Sequence, residues 1–159
     1  MHLLLNQRGS QLVEFALVVP VLLLLVFGST GVFMTQHGYG LLAKATQDAA
    51  VAGGYAHDGA TCKPEADAAA QSMQTTLSGS TVAGVQLIVI CRGTSDVTCT
   101  GTPGSSMSCP GDGPVGTRLS VEASGQVDIS AVSLGLSINS ISTRATAVVD
   151  PAKLPKPGR

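Results

Sequence analysis

The side chains that could do chemistry in this 159-residue chain are four cysteines, three histidines and one glutamate at the mouth of a long apolar run. Cys62, Cys91, Cys99 and Cys109 could hold a metal or pair as disulfides. Structural zinc sites favour close pairs such as C-x2-C, whereas 28, 7 and 9 residues separate successive cysteines here, so disulfides are the expected use. Of the possible pairings, Cys62 with Cys91 and Cys99 with Cys109 is the expected one, although spacing alone leaves connectivity open. His2, His37 and His57 offer no i, i+4 pair and no H-E-x-x-H, so a hydrolytic metal site has no support. His57-Asp58 followed by serines contains pieces of a triad, but without a G-x-S-x-G elbow it reads as a polar loop. Asp96 and Asp112 are too isolated for a calcium loop. A non-enzymatic chain is therefore expected, with no catalytic residue, cofactor or metal.

Composition narrows the class further. Nine Lys+Arg against ten Asp+Glu, with 12% charged and 3% aromatic residues and no Trp, leave neither the basic footprint nor the stacking faces of a nucleic-acid binder. The mean hydropathy of +0.34 is high for a soluble domain. Most of the excess lies between Phe15 and Ala43, where there is no Asp, Glu, Lys or Arg. A helix rising about 1.5 Å per residue needs roughly 20 apolar residues to cross a bilayer. Phe15 to Phe33 meets that length, interrupted only by Pro20 and the group Gly28, Ser29, Thr30 and Gly31. Pro20 is expected to kink this helix or let it bend where copies pack side by side.

Arg8 before the span, with nothing basic until Lys44 after it, predicts a cytoplasmic N-terminus and an extracytoplasmic C-terminal domain. All four cysteines lie on that outer side, and their even number agrees with an oxidising compartment. The alternative is an ordinary signal peptide cleaved near Ser29-Thr30-Gly31, or an uncleaved anchor, giving a secreted or membrane-anchored adhesive or binding module. Against cleavage stand the acidic Glu14 before the apolar run and the apolar character that continues through Val32, Phe33 and Met34.

The junction at Gly9 carries the sharpest signal. Arg8-Gly9-Ser10-Gln11-Leu12-Val13-Glu14-Phe15 places a basic leader, a glycine and then a glutamate five positions on, just before the apolar helix. Cleavage after Gly9 would make Ser10 the new amino terminus and Glu14 the fifth residue. A carboxylate near hydrocarbon needs a partner, and a free α-amino group on the same or a neighbouring helix could supply it. Glycine before the cut would present an unhindered, extended backbone to the protease. Gly9, Glu14 and Phe15 match the G-x-x-x-x-E-[FY] processing site of tight-adherence prepilins, and the run RGSQLVEFALVVPVLLLLVFG resembles the opening of the TadE-like pseudopilin family. The resemblance spans roughly residues 8 to 50. It implies a minor pilin or pseudopilin of a Tad (Flp-type) pilus, processed by a prepilin peptidase and held in the cytoplasmic membrane by one helix. Glu14 and Phe15 would register that helix, and the implied partners are other pilin or pseudopilin subunits, the Tad membrane assembly platform and the lipid bilayer. Assembly of the pilus or adhesion would be its role.

Apolar residues at Leu41, Leu42, Ala45, Ala49 and Ala52 keep helical spacing beyond the span, and Gly53-Gly54 is expected to cap that helix. A second, alanine-rich helix opens at Pro64-Glu65, covers Ala66 to Leu77 and stops at Ser78-Gly79. Alternation predicts strands over Val82 to Cys91, Gly116 to Ile129 and Ile138 to Val149. The expected division is a leader at 1–9, a transmembrane and extended helix at 10–54, an α+β domain at 55–150 and a mobile tail at 151–159. Within the domain, residues 93–116 hold Gly, Pro, Ser or Thr at 17 of 24 positions, a composition that builds no core of its own and would rely on disulfides. The expected fold is pilin-like, with the long helix and the second helix packed on one face of a small antiparallel sheet.

Overall fold

The computed structural model describes residues 4–93, 96–111, 116, 118–128 and 140–154; the side chains of residues 4–12, 128 and 140–143 are not among those described. Helix α1 (Leu4–Tyr55) is followed by α2 (Lys63–Leu77) and strands β1 (Val82–Arg92), β2 (Val97–Gly101), β3 (Arg118–Asp128) and β4 (Ser140–Val149). The strands form one antiparallel sheet in the order β2-β1-β3-β4. One face carries α1 across β3 and β4 and α2 beside it over β1 and β2. This is the α+β arrangement the sequence leads one to expect.

Period-two alternation builds the core. Leu87, Val89 and Cys91 of β1 and Leu119, Val121, Ala123 and Val127 of β3 point toward the helices and are buried. Ala45, Ala49 and Ala50 of α1 and Ala66, Ala69, Ala70 and Met73 of α2 meet them. Small side chains on both helices let them approach each other and the sheet closely, so many alanines replace a few large residues.

Gly53 and Gly54 do not end α1, which runs on to Tyr55. Both are buried. A Cβ on Gly53 would lie 2.7 Å from Leu119 Cδ2 and 2.9 Å from the Glu65 carbonyl oxygen, and one on Gly54 would lie 2.6 Å from Leu154 Cδ1. These glycines are close-approach residues rather than caps. By contrast, Gly79 follows α2 with φ of 77°, the left-handed position that terminates a helix without Cβ strain.

Two further segments differ from expectation. The Gly/Ser/Thr/Pro-rich segment contains β2, which pairs Val97–Gly101 with Leu87–Cys91, and its buried Val97, Cys99 and Met107 join the core. It is tied to α2 by Met107 N–H donating to Asp67 Oδ1 at 2.8 Å and Gly104 N–H donating to the Ala70 carbonyl at 3.0 Å. At the other end, Pro151–Lys153 forms a 3-10 turn in which Asp150 Oδ1 accepts from Ala152 N–H, and Leu154 packs on Gly54. The rest of the expected tail, 155–159, and the expected strand residues Ile129 and Ile138 lie outside the described residues.

Candidate functional site

Two regions carry the chemistry, and α1 positions both. Its first half is bare. From Val13 to Met34 the large apolar side chains face outward, with Phe15 and Leu25 each 69% exposed. It is the one helix, among the described residues, long and apolar enough to cross a membrane. Its few polar groups are turned inward onto the helix itself. Ser29 Oγ and Thr30 Oγ1 both donate to the Val26 carbonyl, at 2.9 and 2.8 Å, and Thr35 Oγ1 donates to Gly31 at 3.0 Å. Such local bonding is how hydroxyls are satisfied where no water is available. Pro20 lies within the unbroken helix, where it deletes one backbone donor.

Gly9, Ser10, Glu14 and Phe15 all lie on α1. Positions 10 and 14 stand one turn apart, and Glu14 is exposed. The backbone at Gly9 is helical, not extended as expected for a processing site, so cleavage there would require one turn to open. Glycine makes that turn weak, at roughly 1 kcal/mol less helix stability than alanine.

The second region lies at the far end of the domain, where α1 ends and α2 begins. The structure joins Cys62 to Cys91 and Cys99 to Cys109. The two disulfides touch, with Cys99 Sγ 3.6 Å from Cys62 Sγ. The first ties the start of α2 to the end of β1, and the second closes the turn after β2. By chain-entropy reasoning they contribute roughly 3.5 and 2.7 kcal/mol.

Beside them His57, expected in a polar loop, meets Glu65, expected at the opening of the second helix. His57 Nδ1 is hydrogen-bonded to Glu65 Oε1, and Glu65 is only 1% exposed. Its other oxygen, Oε2, is 3.3 Å from Cys91 Sγ. Burial pushes the Glu65 carboxyl above its ordinary range, and the neighbouring His57 partly opposes this. A protonated Glu65 can donate to the Cys91 sulfur while its second oxygen accepts from His57. Asp58 turns the chain between them by accepting from Ala60 N–H at 2.8 Å and Thr61 N–H at 3.3 Å, which holds its carboxyl below the usual value. No periodicity could have paired His57 with Glu65; the only hint is a glutamate in an otherwise alanine-rich helix.

Among the described residues, the hydrogen bonds of the His57–Glu65 pair reach no hydroxyl nucleophile. Ligand atoms of Cys62, Glu65 and Cys91 lie within 4.8 Å of one another, a spacing open to a metal only with both thiols free, and here the two sulfurs are bonded to each other. The arrangement is that of a linked, polar brace.

A family model described as TadE-like protein matches residues 9–51. The match covers the bare half of α1 and most of its packed half, and leaves the sheet outside it. No curated protein matches the chain, and no solved structure does.

Proposed function

We propose, from the TadE-like segment at residues 9–51, that this chain is a minor pilin or pseudopilin of a Tad (Flp-type) pilus system. It is processed after Gly9 by a prepilin peptidase, sits in the cytoplasmic membrane with its N-terminus inside, and presents the disulfide-linked domain outside. It acts in pilus assembly or adhesion and catalyses nothing; its partners are other pilin or pseudopilin subunits and the Tad assembly platform. The observation that carries this reading is the bare, charge-free half of α1 headed by Gly9, Glu14 and Phe15. A surface of that area exposed to water would be strongly unfavourable, at about 25 cal/mol per Å² of apolar surface. Lipid removes that cost, and so does a sheath of like helices in a filament. Glu14 suits both settings, because its charge can be met by the amino group of a neighbouring mature chain.

Deletion of the chain in its native cell tests this. Loss of filaments or of surface attachment, restored by the wild-type chain and not by Glu14→Ala, is the expected result. Unchanged filaments and attachment in the deletion strain would contradict it.

A further inference from the structure

α1 gives the domain a near end and a far end. A Cβ on Gly38 would lie 2.5 Å from Val127 Cγ2, and Val127 pairs across the sheet with Val82. Gly53 meets Leu119 at the opposite end of β3. The end of α2, the turn at 78–81 and the start of β1 therefore lie at the level of Gly38, while the disulfides lie at the level of Gly53. Gly38 stands five residues past Phe33, about 7–8 Å along the axis. The headgroup layer is itself roughly 5–8 Å thick on each side of the hydrocarbon. If Phe15 to Phe33 fills the hydrocarbon, the near end of the domain is in the headgroups.

Three features of that end fit such a position. Charge is absent from it to an unusual degree: no Asp, Glu, Lys or Arg occurs between Asp67 and Arg92 or between Asp96 and Asp112. The charges of α2 are confined to its first turns, at the far end, with Lys63, Glu65 and Asp67. Asp128, at the near end of β3, is the exception. Second, Tyr39 is 53% exposed at the level of Gly38, and tyrosine is enriched at membrane–water interfaces because its ring is apolar and its hydroxyl is wet. Third, an open cavity of about 410 Å³ lies at this end, with Leu77, Val82, Val85 and Pro103 as apolar walls and Gln74 and Thr102 among its polar groups. Gly84, with φ of 61° at the β1 bulge, completes its rim.

We infer that the uncharged near end of the domain, formed by the end of α2, the 78–81 turn and the loop at 102–105, rests in the headgroup layer of the bilayer that α1 spans, with its cavity open to lipid. This inference rests on the membrane reading above. It makes the domain a body seated on the membrane instead of one swinging above it, with the disulfide-linked end turned outward to partners.

The absence of native tryptophan gives a clean test. Single-tryptophan chains Ser78→Trp and Thr81→Trp, both at exposed near-end positions, are compared with Ala60→Trp at the far end. Each is reconstituted into phosphatidylcholine vesicles containing lipid brominated high on the acyl chain, and vesicle flotation is measured in parallel. The expected result is flotation of all three, with emission blue-shifted and quenched by bromine for Ser78→Trp and Thr81→Trp only, and unchanged when anionic lipid is added. Flotation with all three tryptophans unquenched would overturn the inference and leave the membrane reading standing. Failure of the folded wild-type chain to float would remove the membrane reading, and the inference with it.

Discussion

α1 is one continuous helix with two unlike surfaces. Between Val13 and Met34 it presents exposed Leu, Val and Phe; from Gly38 onward it presents mostly Gly and Ala, with Leu42 and Thr46, to a sheet and a second helix. The first surface suits a fluid, apolar surrounding, for which bulk and area matter and shape does not. The second suits a rigid partner, for which close approach matters. The lone buried hydroxyl of the packed half, Thr46, donates to its own helix at Leu42 over 2.7 Å, so even there polarity is kept off the sheet. The change from exposed Leu, Val and Phe to buried, mostly small residues along one helix thus marks the boundary between a candidate membrane span and a structural element of the domain.

Substitutions can break either half while sparing the other. The largest effect is expected from Cys62→Ser/Cys91→Ser, which removes roughly 3.5 kcal/mol of domain stability in chemical denaturation while vesicle flotation persists. Leu24→Asp acts on the other half. Insertion becomes less favourable by about 3 kcal/mol, read as loss of alkali-resistant membrane association, with unchanged domain melting in detergent.

Gly53→Val against Gly28→Val measures the contrast within the helix directly. At Gly53 the new side chain meets Leu119 and the Glu65 carbonyl, and the domain is expected to lose about 1–3 kcal/mol; at Gly28 nothing lies within 4 Å and domain melting does not change. The smallest effect concerns pH. Because burial raises Glu65 above its ordinary value of 4.5, the native state holds that proton more tightly than the unfolded chain does. Its contribution is full below the ordinary glutamate value and is lost as pH rises through the folded one. Glu65→Gln should therefore flatten the fall in domain stability over that window, as followed by melting at successive pH values. An equal slope in both proteins would assign the pH dependence elsewhere.

The bare half of α1 was legible because a bilayer imposes a simple rule, a length of apolar residues without charge, that needs no knowledge of partners. The alternation of β1 and β3 was legible for the same kind of reason. What escaped depends on contacts between distant segments. Gly53-Gly54 looks like a helix stop until Leu119 and Leu154 are seen against it. β2 hides in a glycine- and threonine-rich stretch whose strand form depends on pairing with β1 and on the Cys99–Cys109 link. His57 and Glu65 meet because α1 and α2 run antiparallel beside each other, which no local pattern encodes.

The central claim, that this is a pilin-type precursor whose anchor begins at Ser10, is tested most directly by the N-terminal residue of the chain recovered from its native membrane, read by mass spectrometry of the intact protein and its first peptide. A mature start at Ser10, lost in Gly9→Ala and dependent on a prepilin peptidase, is the result predicted. A chain that begins at Val32, or one that retains Met1 with the peptidase present, would contradict it.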